Sequence, residues 1–234
     1  MTKMRTVLVG LTAASLLGLP AAALATAPTS GVHRVLARHA TSIRWMAFGH
    51  IHAAGAPMTL IGQVASSAHG QSGALAGVQV TLSRKLDGST TWVYLGTQTT
   101  GTGDVPEFRF HTEARQNARY RVEFAGNTSF APCRKTTWET VYRLFHGTIS
   151  DGPGAATLTG YVSPFYTHKP ITLQRRSCAA CAYVTYTTRT TGTNGAYSFA
   201  LPAPPKGRWW WRVSIPGTVA FMASYGGTIS TQLV

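Results

Sequence analysis

Two stretches of the chain, Tyr120-Arg121-Val122-Glu123-Phe124 and Trp211-Arg212-Val213-Ser214-Ile215, decide the fold, and they lie 91 residues apart. In both, an apolar side chain alternates with a polar one. This period of two is typical of a β-strand with one buried face. The two stretches therefore predict the same core strand in two copies of one domain, with Arg121 and Arg212 on the face away from the core.

Other segments repeat at the same offset. Val80-Thr81-Leu82-Ser83-Arg84 aligns with Ile171-Thr172-Leu173-Gln174-Arg175. Turn signals, among them Asp87-Gly88 and Asn194-Gly195, separate the strand-like runs, and no segment within either copy has helical periodicity. Short strands, regular turns and a period near 90 residues predict an all-β chain of two tandem antiparallel β-sandwich domains.

The repeated motifs resemble those of bacterial immunoglobulin-like modules. They are Gly62-x-Val64, Val78-x-Val80-x-Leu82, Phe108-x-Phe110 and Tyr120-x-Val122, and they recur in the second copy from Gly160-x-Val162 onward. Carboxypeptidase-regulatory-like and collagen-adhesin-B-like relatives of these modules are common in secreted actinobacterial proteins. The resemblance covers roughly residues 41–234 and implies immunoglobulin-like sandwiches that serve as a spacer, an adhesin or a binding module.

The N-terminus has the pattern of a secretory signal peptide. Lys3 and Arg5 precede an apolar run from Val7 to Leu19, and Ala23-Leu24-Ala25 is a small-residue cleavage site. No later stretch reaches the ~18 consecutive apolar residues of a membrane span. We therefore expect a secreted protein, extracellular or associated with the cell wall.

These observations divide the chain into four parts. The predicted parts are a signal peptide at 1–25, a flexible basic leader at 26–40, a first immunoglobulin-like sandwich at 41–143 and a second at 144–234.

The chain is strongly basic, with 21 Lys and Arg against 7 Asp and Glu and a formal net charge of +14. Loss of Lys3 and Arg5 with the signal peptide would leave +12. Such an excess favours an anionic partner, such as a cell-wall polymer or an acidic polysaccharide. The alternative is that the charge serves only solubility.

The acidic residues all lie between Asp87 and Asp151. The chain after Asp151 therefore has no carboxylate pair for glycoside hydrolysis and no acid for a catalytic triad. The chain also has none of the common hydrolase, metalloprotease or nucleotide-binding motifs. We predict a non-catalytic protein without a cofactor. A catalytic site, if there were one, would be confined to the first copy, and secretion argues against a nucleic-acid partner.

Cys178-Ala179-Ala180-Cys181 replaces a turn of the first copy, and there are three cysteines in the chain. Outside the cell a disulfide at this hairpin tip is the favoured interpretation. Free thiols, or a metal or redox pair, are the alternatives. Cys133 is left over, either as a buried thiol or in an intermolecular disulfide.

His50-x-His52 places two imidazoles on one face of a strand. A copper or zinc site would need a third ligand, which the sequence does not identify. We therefore predict no metal site and interpret these histidines as titratable surface groups.

Trp209-Trp210-Trp211 is the densest aromatic run. The alignment with the first copy assigns Trp209 and Trp211 to the core, and Trp210 and Arg212 to the exposed face. An exposed Trp beside an Arg could stack on a sugar or pair with an anionic glycan, and Tyr225 could extend that surface. Alternatively, Trp210 packs against the neighbouring domain or beneath a loop.

The sequence thus predicts a secreted structural or binding module associated with the cell envelope or matrix. A carbohydrate-binding protein centred on Trp210 and Arg212 is the alternative function. The sequence does not predict an oligomeric state.

Overall fold

The computed structural model describes residues 37–46, 49–68, 71–152, 155–164 and 166–232. The predicted signal peptide and most of the predicted leader lie outside these residues. Within them, the regular elements are β-strands apart from one short 3₁₀ turn, Thr193–Gly195. None of the described residues forms a helix that is long and apolar enough to cross a membrane.

The first half of the chain contributes two sheets that pack face to face. Its strands are β1 (Thr41–Trp45), β2 (Ile51–Ala53), β3 (Pro57–Ala68), β4 (Gln71–Ala74), β5 (Gln79–Leu86), β6 (Val93–Thr99), β7 (Phe108–Glu113), β8 (Ala118–Phe124) and β9 (Cys133–Tyr142). One sheet has the order β1-β3-β4, with β7 also paired to β3, and the other has the order β2-β9-β8-β5-β6. Pairing is antiparallel except between β2 and β9.

The second half repeats this arrangement. Its strands are β10 (Leu144–Ser150), β11 (Ala155–Ser163), β12 (Pro170–Arg176), β13 (Val184–Thr190), β14 (Ala196–Pro202), β15 (Trp209–Ile215), β16 (Ser224–Tyr225) and β17 (Ile229–Thr231). One sheet has the order β10-β11-β14, and the other has the order β13-β12-β15-β16, with β17 also paired to β15. The prediction of an all-β chain with two tandem β-sandwiches is confirmed.

Each sandwich has its own core, built by the period-two strands. Tyr120 and Val122 of β8 lie in the first core, and Trp211 and Val213 of β15 lie in the second. The alternation predicted from the sequence is therefore observed on the inner side of both strands.

The repeated glycine of the Gly-x-Val motif has a packing role. A Cβ atom at Gly62 would contact the Phe108 ring and the Arg44 carbonyl, and one at Gly160 would contact the Tyr197 hydroxyl and the His146 carbonyl. In both sandwiches the absence of a side chain on the glycine lets an aromatic residue of the strand paired with it in the sheet lie across the backbone.

The loop after β15 docks on the first sandwich. The Asn117 backbone amide donates to the Ala220 carbonyl at 2.8 Å, and the Met222 amide donates to the Val141 carbonyl at 2.9 Å. Phe221 is buried in a small cluster with Val141. The two halves therefore share both hydrogen bonds and apolar contacts.

Arg143, between β9 and β10, completes this junction. Its guanidinium lies 3.9 Å from the centroid of the Phe221 ring, and its Nε donates to the Pro164 carbonyl at 2.9 Å. The side chain is buried, and this burial lowers the pKa of the guanidinium.

Candidate ligand-binding face

The outer face of β15 carries the residues that the sequence singled out. Trp209 and Trp211 pack in or against the core, so Trp210 and Arg212 lie on the opposite face of the strand. Both side chains are half-buried. They are therefore less exposed than the alignment with the first copy predicted. Their neighbours on the sheet account for this partial burial.

Arg212 lies between two tyrosines. Its guanidinium carbon is 4.0 Å from the centroid of the Tyr183 ring and 4.4 Å from that of Tyr225. Its Nε donates to the side-chain carbonyl of Gln174 on the adjacent strand at 2.8 Å. The planar cation is thus fixed by two aromatic contacts and one hydrogen bond.

Arg176 extends the same surface by one strand. Its guanidinium carbon lies 4.8 Å from the centroid of the Tyr183 ring and 5.9 Å from that of Trp210. Its Nη1 donates to the Ala179 carbonyl at 2.6 Å. Its Nε is buried without a hydrogen-bond partner among the described residues.

We call this surface the arginine–aromatic face. Its members are Gln174, Arg176, Tyr183, Trp210, Arg212 and Tyr225. The structure thus brings together all three residues proposed from the sequence, Trp210, Arg212 and Tyr225. It adds Arg176 and Tyr183, which the sequence analysis missed. The tandem alignment could have revealed Tyr183, because this residue lies 91 positions after Trp92 and so occupies the same place in the second copy.

The first sandwich has a related arrangement with a different charge balance. Arg121 lies 4.3 Å from the centroid of the Trp92 ring and forms an ion pair with Glu123 at 3.0 Å. Ser214 occupies the position of Glu123 in the second copy, and no acidic residue follows Asp151 in the chain. Among the described residues, the ion pairs include none that joins Arg176 or Arg212 to a carboxylate.

The predicted disulfide is confirmed. Cys178 and Cys181 are bonded and close the hairpin between β12 and β13. The loop that they close carries the Ala179 carbonyl that accepts from Arg176. Cys133 is a free, half-buried thiol, and burial raises its pKa, so the reactive thiolate form is disfavoured.

His50 and His52 share a buried partner, Glu139. His50 Nδ1 lies 3.0 Å from one carboxylate oxygen, and His52 Nε2 lies 3.1 Å from the other. The Thr137 hydroxyl also donates to this carboxylate at 3.1 Å. Glu139 is only 1% exposed, whereas the His50 side chain is 59% exposed, so the cluster joins a buried carboxylate of β9 to the surface beside β2.

A metal site does not emerge from this cluster. Among the described residues, no group of three or more His, Cys, Asp or Glu side chains is placed to hold a metal ion.

No protein-family model matches the chain, and no curated protein matches it. Among solved structures, the chain is similar to the human OSCAR ligand-binding domain, with a TM-score of 0.30 and 14% identity over 82% of this chain and 99% of that one. It is similar to dimeric latent PorU from Porphyromonas gingivalis, with a TM-score of 0.28 and 13% identity over 83% of this chain and 24% of that one. It is also similar to a marsupial T cell receptor, with a TM-score of 0.28 and 11% identity over 83% of this chain and 64% of that one. Similarities of this size carry no functional argument, which therefore rests on the residues themselves.

Proposed function

We propose that this protein is a secreted, non-catalytic module that binds an anionic polymer of the cell envelope or matrix through the arginine–aromatic face. The carrying observation is that Arg176 and Arg212 are held against aromatic rings in a part of the chain where no acidic residue follows Asp151. A guanidinium orientated in this way offers two parallel N–H donors to a carboxylate or a phosphate.

The polymer class follows from the charge and from the shape of the surface. The arginines lie on an open sheet face with Trp210 and Tyr225, and Tyr225 is 55% exposed. A sheet face of this kind suits an extended chain more than a small enclosed ligand. A polymer with repeating carboxylates or phosphates would pair with both cations, while its backbone packed against the rings.

The alternative function is recognition of a carbohydrate ring by Trp210 and Arg212. The partial burial of Trp210 leaves less of its ring for stacking. Pairing of anionic ligand groups with the two arginines is therefore the better supported mode of binding. The two modes differ in their response to salt, because added ions screen exposed charges but do not weaken apolar stacking.

The test is co-sedimentation or affinity retention on polygalacturonate and on poly(glycerol phosphate), at low and high salt. We expect salt-sensitive retention on at least one of these polyanions. The double variant Arg176→Gln/Arg212→Gln should lose most of it.

The control variant is Arg121→Gln in the first sandwich. It removes the same charge from a stacked arginine, but this arginine already has Glu123 as its partner. Equal losses in the control and in an Arg212→Gln single variant would mean that net charge alone holds the polymer. Absence of retention on both polyanions at low salt would refute the proposal.

A further inference from the structure

The outer face of the first sandwich carries an exposed aromatic residue, Trp138, that the proposed function does not use. Trp138 lies on β9 between Thr137 and Glu139, both of which face inward in the Glu139 cluster. Its side chain therefore faces solvent, and it is 56% exposed. This is the largest flat apolar group that the first sandwich presents on that face.

The indole ring is held in place by its polar edge. Trp138 Nε1 donates to the Asp87 carboxylate at 3.1 Å, and Asp87 belongs to the turn that follows β5. A fixed ring loses little conformational freedom when a ligand stacks on it, so the hydrogen bond favours binding.

An arginine occupies the neighbouring position on the adjacent strand. Arg119 of β8 is directly opposite Trp138 in the antiparallel register, and it is exposed. Residues paired in this way have Cβ atoms roughly 5 Å apart. A ligand seated on the indole would therefore have the Asp87 carboxylate at one edge and the side chain of Arg119 within reach from the next strand.

The open face of Trp138 contrasts with that of Trp92. The Trp92 ring is covered by Arg121 at 4.3 Å and by Lys85 at 5.3 Å. Among the described residues, the cation–ring contacts include none on Trp138. Trp92 thus acts as a partner for cations of its own chain, and Trp138 remains available to a ligand.

We propose that Trp138, Asp87 and Arg119 form a binding site for one pyranose ring of a neutral polysaccharide. The apolar C–H face of the sugar stacks on the indole, as aromatic platforms favour. Sugar hydroxyls donate to the Asp87 carboxylate and accept from the Arg119 guanidinium, which are charge-assisted hydrogen bonds. The Asp87 carboxylate at the edge of the indole favours an uncharged sugar over an acidic one, because it would repel the carboxylate of an acidic sugar.

This site is independent of the arginine–aromatic face, and the two make different predictions. Binding at Trp138 should survive high salt, since stacking and hydrogen bonds at short range are little affected by screening. Binding of a polyanion at Arg176 and Arg212 should not survive it.

The experiment is a titration of the purified chain with soluble hexasaccharides of glucose, mannose and galactose, followed by calorimetry at about 1 M salt, where the Debye length is ~3 Å. We expect at least one of these sugars to bind. Trp138→Ala should weaken that binding roughly tenfold or more. The variant loses both the stacking contact with the indole and the apolar area that the sugar buries against it. Arg119→Gln should weaken it less.

Two controls make the result specific. Tyr161→Ala removes another exposed aromatic, 47% exposed, from the second sandwich and should leave sugar binding unchanged. The variant Arg176→Gln/Arg212→Gln should also bind the sugar like the unmodified chain. The inference is wrong if none of the three sugars binds, or if Trp138→Ala binds as tightly as the unmodified chain. Loss of sugar binding in the double arginine variant alone would place the sugar on the arginine–aromatic face and overturn the Trp138 site.

Discussion

The guanidinium carbon of Arg212, on β15, lies 4.0 Å from the centroid of the ring of Tyr183, the residue that directly precedes β13. The first sandwich has the same relationship 91 residues earlier in the chain. There, the Arg121 guanidinium lies 4.3 Å from the centroid of the Trp92 ring. The difference lies in the residue two positions after each arginine. Glu123 forms an ion pair with Arg121, whereas Ser214 stands at the matching position after Arg212. The same arginine–aromatic contact is therefore paired with a carboxylate in the first sandwich and with an uncharged serine in the second.

The stacking geometry of Arg212 can be separated from its charge. Arg212→Lys keeps the positive charge but loses the planar group that lies between Tyr183 and Tyr225. We expect this variant to bind the polyanion several-fold more weakly than the unmodified chain, with its fold unchanged by circular dichroism. Retention equal to that of the unmodified chain would show that a point charge suffices at this position.

The carboxylate of Glu139 should contribute strongly to the stability of the first sandwich. Glu139→Ala leaves His50, His52 and Thr137 without their shared acceptor, and a polar group left without its partner in the interior costs about 1–3 kcal/mol. Urea unfolding measures this change in the free energy of unfolding. Glu107→Ala is the control, since its partner Arg109 is exposed and such surface pairs contribute less than about 1 kcal/mol. Equal midpoints for the two variants would contradict the role assigned to Glu139.

The glycine beneath Tyr197 should be sensitive to a single methyl group. In Gly160→Ala, the added Cβ would collide with the Tyr197 hydroxyl and the His146 carbonyl. Overpacking of this kind costs roughly 1–3 kcal/mol. Gly227→Ala is the matched control, because a Cβ there meets no atom within 4 Å. Thermal unfolding should show a lower Tm for Gly160→Ala only, and a similar decrease for both variants would contradict the packing explanation.

Secretion with removal of residues 1–25 predicts a defined N-terminus. Mass spectrometry of the protein recovered from the culture medium should show a chain that begins at Thr26 and lacks the charges of Lys3 and Arg5. Recovery of the uncleaved chain from the cell interior alone would contradict both the signal peptide and the proposed location.

The boundaries 41–143 and 144–234 remain predictions, which separate expression of the two segments would test.

Strand identity and strand facing followed from local patterns. The alternation in Tyr120–Phe124 and Trp211–Ile215 predicted which side chains enter the cores, because a strand directs successive side chains to opposite faces whatever its neighbours are. The Cys178–Cys181 disulfide was also accessible, because two cysteines three residues apart at a hairpin tip can meet without help from the rest of the fold.

Contacts between distant segments were not accessible in the same way. His50 and His52 were interpreted as surface histidines, and His50 is exposed. That both meet Glu139, 87 to 89 residues away, was not predicted, because no local pattern indicates the parallel pairing of β2 with β9. Trp138 was overlooked for a similar reason, since its significance depends on Asp87 and Arg119, which belong to other segments.

By itself, therefore, the sequence determined the strands, their inward and outward faces, the absence of acidic residues after Asp151 and the disulfide. Each of these depends on local periodicity, composition or short spacing. Only the tertiary structure decided that Arg176 and Arg212 share Tyr183, that the buried Glu139 meets two histidines, and that the exposed Trp138 meets the Asp87 carboxylate. Those relationships depend on which strands become neighbours and in which register, and that choice is made by the packing of the whole sandwich.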